Sequence, residues 1–74
     1  MRVTVKLYAS LQNGRFEAKA LEVPEGAPAR RIAADLGIAP AQVGILTVDG
    51  RHARLDDPLA PDATLALFPP VGGG

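Results

Sequence analysis

The sequence predicts an α+β domain in which one helix lies across one face of a β-sheet, and three observations carry that reading. Residues 2–9 alternate polar and apolar side chains, the period-two signature of a half-buried strand. Ala29, Ile32, Ala33 and Leu36 recur at i, i+3, i+4 and i+7, an apolar stripe along one side of a short helix. Asp49-Gly50, a dipeptide suited to a tight hairpin, separates two strand-like runs ahead of a final apolar segment, Thr64–Phe68. The order strand, strand, helix, strand, strand, strand then follows, most simply as two hairpin-like pairs with the helix crossing between them.

In the first strand Val3, Val5, Leu7 and Ala9 share one face, while Arg2, Thr4, Lys6 and Tyr8 share the other. Asn13-Gly14 tolerates positive φ and reverses the chain. Residues 16–23 form the hairpin partner. Their phase is untidy, because Ala18 and Ala20 run out of step with Leu21 and Val23; either a bulge sits near Ala20 or the strand starts late. Pro24-Glu25-Gly26 breaks this strand, and Pro28 suits the first helical position, where a missing N–H is no loss. Ala27 offers no capping acceptor, so the helix depends on packing, and Gly37 followed by Ile38 fits a left-handed stop.

Residues 39–42 read as a turn and residues 43–48 as the third strand, the most apolar run in the chain. Residues 51–55 return antiparallel after Asp49-Gly50, and residues 56–62 form a loop whose Leu59 plugs the core. In the last strand Leu65 and Leu67 face one way, Ala66 and Phe68 the other, and Pro69-Pro70 ends it because neither residue can donate a ladder bond. Tyr8 and Phe68 are thus expected on the open sheet face. Residues 1–70 are read as the domain and residues 71–74 as a flexible glycine-rich tail.

Composition narrows the function. With 74 residues and 7.7 kDa the chain holds one small domain with little room for an internal active-site cavity. Eight Lys plus Arg balance eight Asp plus Glu, which argues against nucleic-acid binding. No Cys and a single His exclude a disulfide scaffold, a thiol nucleophile and a multi-histidine metal centre, so no metal is expected. No apolar run is long enough to span a membrane and no leader precedes the first strand, which points to a cytoplasmic module. His52 reads as a solvated strand residue, Arg30-Arg31 as a wet helix face and Asp56-Asp57 as turn support.

The closing run Leu67-Phe68-Pro69-Pro70-Val71-Gly72-Gly73-Gly74, on this order of elements, resembles the MoaD/ThiS family of ubiquitin-like sulfur carriers, most of all the small subunit of molybdopterin synthase. Further similarity lies in the opening strand, in Val43-Gly44-Ile45, in Asp49-Gly50 and in Leu55-Asp56-Asp57-Pro58-Leu59. A terminal Gly-Gly alone arises by chance in about 1 chain in 200, so the specificity lies in its union with Phe-Pro-Pro-Val. The chain departs from the family pattern in its third glycine, Gly72, and in an aromatic content of only 4%.

The resemblance implies a β-grasp fold, a mixed sheet of four to five strands with one helix, and a non-catalytic carrier with no bound cofactor. It implies that a ubiquitin-activating-type adenylyltransferase uses ATP to adenylate the carboxylate of Gly74, and that a cysteine desulfurase or rhodanese type donor converts it to a thiocarboxylate. The sulfur then passes to the large subunit of molybdopterin synthase or to another acceptor enzyme. Gly72 and Gly73 are expected to thread the partner's channel, and Phe68, Pro69, Pro70, Val71, Tyr8 and Ala66 to dock against it. Other acceptors (thiamine thiazole, a tRNA base, an amino acid), a ubiquitin-like modifier and a pure interaction module are the alternatives.

The tail chemistry also stands on its own terms. An α-carboxyl with a pKa of about 3.3–3.7 is an anion at neutral pH and a poor electrophile, so a partner must activate it. Glycine has no Cβ and fits a narrow channel. Four residues from Val71 onward reach at most ~14 Å at ~3.3–3.6 Å each, enough to enter a neighbour's pocket.

Overall fold

The computed structural model describes residues 1–71. Five strands form one sheet: β1 (Arg2–Leu7), β2 (Ala18–Glu22), β3 (Ile45–Val48), β4 (Arg51–His52) and β5 (Thr64–Phe68), with helix α1 (Ala29–Asp35) between β2 and β3. The spatial order is β2-β1-β5-β3-β4. Both expected hairpin pairs form antiparallel, β1 with β2 and β3 with β4. The last strand enters between them, parallel to β1 and antiparallel to β3, which makes the sheet mixed.

Alternation decides which face is buried. Val3, Val5, Leu7, Leu46, Leu65 and Leu67 point to one side and meet Ala29, Ile32 and Ala33 of the helix stripe. The connections close the core: Leu11, Ile38, Leu59 and Ala63 are all buried, and Leu59 is the plug foreseen, its N–H bonded to the Ala27 carbonyl. The helix stops as expected. Gly37 takes φ +74°, Gly37 N–H donates to the Ala34 carbonyl and Ile38 N–H to the Ala33 carbonyl, a complete Schellman motif. Asp49 and Gly50 both take positive φ, as a type I′ hairpin requires.

Four local expectations are corrected, and one open alternative is settled. Ala9 does not share the core face of β1: it leaves the strand at φ +50° and opens a 3₁₀ turn, Ala9–Gln12, that buries Leu11 instead. The partner strand spans Ala18–Glu22 in uninterrupted register, so its untidy phase reflects a late start and not a bulge. Pro28 caps the helix in an extended conformation rather than occupying the first helical turn, because it bridges Pro58 across the neighbouring loop. With no side-chain cap, Arg30 N–H finds the Leu55 carbonyl at 2.8 Å. The third strand begins at Ile45, and the fourth is only two residues long, although Ala53 N–H still reaches the Leu46 carbonyl.

A feature with no sequence signal ties the two layers together. Arg15 donates to three backbone carbonyls, Leu36 at 2.9 Å, Leu11 at 3.2 Å and Gly37 at 3.2 Å, joining the 3₁₀ turn to the C-terminus of the helix. A guanidinium there also faces the negative end of the helix dipole.

Candidate functional site

The parallel pairing of β1 and β5 builds the site. Both strands end together, and the register Leu7 to Leu67 carries the next residues, Tyr8 and Phe68, side by side on the face away from the helix. Tyr8 N–H donates to the Leu67 carbonyl at 3.2 Å, and the two rings stack with centroids 4.3 Å apart and planes 12° from parallel. Across β5, Ile45 pairs with Phe68 and completes an apolar row at the end of the sheet. Tyr8 is 38% and Ile45 37% exposed, so this row is open to a partner, while Phe68 is half-buried between them.

One row back the character changes. Lys6, Ala66 and Thr47 lie side by side, continued by Ala18 and His52 on the edge strands. Ala66 is on the expected face but only 8% exposed, overhung by its longer neighbours, so it is a floor to the patch more than a contact. At the far end Arg2 and Glu22 form an exposed ion pair at 3.4 Å. The open face therefore grades from apolar, where the chain leaves the sheet, to charged at the opposite end. A recess of about 370 Å³ lined by Lys6, Leu7, Tyr8, Gln12, Glu17 and Ala18 opens beside the aromatic pair.

Past Phe68 the chain crosses Gly44, whose N–H donates to the Phe68 carbonyl at 2.7 Å. Pro69 is half-buried, Pro70 exposed, and Val71 stands 85% exposed. Gly72, Gly73 and Gly74 lie outside the described residues. Tyr8, Ala66, Phe68 and the Pro69-Pro70-Val71 segment are thus brought to one end of one face.

Two residues of this region escaped the sequence reading. Ile45 had a usable signal, since burial of Leu46 in an alternating strand forces its neighbour outward. Gly44 had none, because the backbone that passes over it comes from 25 residues further along the chain.

Charge is distributed elsewhere. The Arg30 guanidinium grips Asp56 with bonds of 2.6 and 3.2 Å; this hydrogen bonding, then the attraction of the two charges, lowers the Asp56 carboxyl below its ordinary value of 3.8 and raises Arg30. Arg31 lies 3.7 Å from Asp35 one turn on. Both arginines belong to the helix layer. His52 is exposed on β4, opposite Thr47. Among the described residues no group of three or more His, Cys, Asp or Glu side chains could hold a metal ion, and no helix is long and apolar enough to cross a membrane. The geometry suits recognition of another protein by a surface.

A five-stranded mixed sheet in this order, with one helix on one face, is the β-grasp or ubiquitin-like fold. This fold, with an apolar row at the point where the carboxyl-terminal segment departs, is that of the small sulfur carriers and ubiquitin-like modifiers. The ThiS family model matches residues 5–74, and the chain belongs to that family. Among curated proteins none matches the sequence significantly.

Solved structures agree on the fold. SAMP1 from Haloferax volcanii is 27% identical, with 100% of both chains covered and a TM-score of 0.73. A protein from Pyrococcus furiosus described as molybdopterin converting factor subunit 1 is 23% identical, with 96% of this chain and 99% of that chain covered and a TM-score of 0.75. A complex of subunits 1 and 2 of the molybdopterin-converting factor from Helicobacter pylori includes a chain 20% identical, with 100% of both chains covered and a TM-score of 0.67.

Proposed function

We propose that this chain is a cytoplasmic sulfur carrier for molybdopterin or tungsten-pterin biosynthesis, with the carboxyl group of Gly74 as its working atom group. The observation that carries the proposal is Phe68-Pro69-Pro70-Val71 leading from the apolar end of the open sheet face into the terminal glycines. A carboxylate resists nucleophilic attack because it is already anionic. The ubiquitin-activating-type adenylyltransferase removes that obstacle: the Gly74 carboxylate attacks the α-phosphorus of ATP, pyrophosphate leaves, and a mixed anhydride remains. The outer sulfur of a persulfide on a cysteine desulfurase or rhodanese type donor then displaces AMP to give an acyl disulfide. A thiol reductant cleaves its S–S bond, leaving the thiocarboxylate on Gly74 and the donor cysteine in a disulfide with the reductant. The acceptor enzyme, the large subunit of molybdopterin synthase, takes up that sulfur.

In this reading Tyr8, Phe68, Ile45, Pro69, Pro70 and Val71 dock the partner over the floor made by Ala66, while Gly72 and Gly73 thread its channel. The chain itself binds no cofactor; ATP binds the adenylyltransferase. The Helicobacter pylori complex supports a large-subunit partner, since its small chain shares this fold. Delivery of the sulfur to a different acceptor uses the same chemistry and the same face.

A second reading has its own support: SAMP1, the small archaeal modifier protein 1 of Haloferax volcanii, shares the fold in two solved structures, one 27% identical over the whole length and the other covering 95% of this chain. There the adenylated Gly74 would be joined to a lysine of another protein. Intact-mass measurement of the chain after incubation with adenylyltransferase, ATP and sulfur donor separates the two. The carrier gives a species with one oxygen replaced by sulfur; lysines of other proteins joined to Gly74, seen after tryptic digestion as a branch beginning at Leu55, without that species, identify the modifier. A carboxylate left unchanged by the complete mixture refutes both.

A further inference from the structure

Gly44 differs from the other glycines of the folded domain. Gly14, Gly26, Gly37 and Gly50 all take positive φ, where a side chain is strained, and Gly44 does not. Space is what excludes a side chain there. A Cβ on Gly44 would stand 2.5 Å from Pro70 Cα, 2.7 Å from the Pro69 carbonyl oxygen and 2.7 Å from Pro70 N. All three are backbone atoms of consecutive prolines, whose φ is locked near −65°, so no side-chain rotation makes room. The same residue binds the Phe68 carbonyl at 2.7 Å, at the point where the chain leaves the sheet.

From these contacts we infer that Gly44 sets the line along which the carboxyl-terminal segment departs, and so acts as a positioning residue for the delivery of Gly74. The inference rests on the activation of Gly74 proposed above. Ordinary van der Waals contact begins at 3.4 Å, so a single methyl group at position 44 pushes Pro70 outward by about 1 Å. A misplacement of about 1 Å remote from the reacting atoms can cost about 100-fold in rate. The docking row of Tyr8, Phe68 and Ile45 projects from the sheet and keeps its side chains, so most of the loss falls on turnover, with only a smaller loss of recognition from the displaced Pro70.

The test combines spectroscopy with kinetics on the full chain. In Gly44→Ala, backbone NMR shifts should change at residues 43–45 and 68–71 while those of β1 and α1 stay as in the wild type. With the adenylyltransferase and ATP, pyrophosphate exchange should show kcat reduced about 10–100-fold and KM for the carrier within about threefold. Should Gly44→Ala fold poorly, adding Pro69→Gly and Pro70→Gly lets the backbone step around the methyl. The kcat of that triple variant is read against the Pro69→Gly, Pro70→Gly pair with Gly44 intact, which already carries the loss of the docking prolines. The triple variant should lie about 10-fold below the pair. Unchanged shifts at residues 68–71, wild-type kcat in Gly44→Ala, or a triple variant equal to the pair overturns the inference while leaving the carrier reading intact. A wild-type chain that the adenylyltransferase never charges refutes the carrier reading, and the delivery role of Gly44 with it.

Discussion

Leu65 and Phe68 lie three residues apart on the central strand β5 and point to opposite faces, so truncating each should separate folding from recognition. Leu65 is fully buried, paired with Val5 on one side and Val48 on the other, under the helix layer. Leu65→Ala removes packed methyl groups that nothing can replace, at a cost of about 2–5 kcal/mol. At about 0.05–0.15 kcal/mol per residue the whole domain of 74 residues has only about 4–11 kcal/mol of stability. Urea unfolding should therefore show a midpoint lowered by about 2–5 M, for a slope near 1 kcal/mol/M in so small a domain.

Phe68→Ala loses a half-buried ring and its stack on Tyr8, about 1–2 kcal/mol, so the fold survives. Its main effect should be on the adenylyltransferase complex. Truncating a central aromatic anchor costs about 2 kcal/mol or more, close to a 30-fold rise in Kd by calorimetry. A Leu65→Ala midpoint shifted by less than about 0.5 M would refute the packing argument. A Phe68→Ala chain that binds its partner as tightly as the wild type would refute the assignment of the docking face.

Two further outcomes follow from polar contacts. Arg15→Met keeps the apolar stem but releases the Leu11, Leu36 and Gly37 carbonyls, and should cost about 2–4 kcal/mol in urea unfolding; Arg15→Lys, a point charge in place of a fork, should recover only part of it. The Arg30 hydrogen bond and charge depress the Asp56 carboxyl, so the stability this pair adds is present above the ordinary Asp value and is lost as pH falls through the lower folded value. Unfolding curves should place the wild type above Asp56→Asn at pH 7 and let the two converge by about pH 2, with the gap also narrowing in about 1 M salt because the pair is exposed.

The local elements were legible because their signals are local. Alternation marked β1, the stripe from Ala29 to Leu36 marked the helix face, Gly37 marked its stop, and Asp49-Gly50 marked the hairpin. Tyr8 and Phe68 followed from the same alternation, being out of phase with Leu7 and Leu67. What escaped depends on contacts between distant segments. The insertion of β5 beside β1 is a long-range parallel pairing, and it alone brings Tyr8 against Phe68. Ala9 looked like a fourth member of the β1 pattern, yet the 3₁₀ turn it opens gains Leu11 for the core. Arg15 belongs to no periodic pattern or motif, and its three acceptors come from two other elements. Gly44 reads as part of the strand at residues 43–48; only the passage of Pro69-Pro70 explains why that position holds a glycine.

The chemistry assigned to the chain end is tested most directly by fragmenting the protein in a mass spectrometer after treatment with adenylyltransferase, ATP and a sulfur donor. The account predicts sulfur in place of one oxygen on the fragment ending in Gly74, and none of it in a variant carrying one extra residue beyond Gly74. Sulfur on any other fragment, or equal charging of the extended variant, would contradict it.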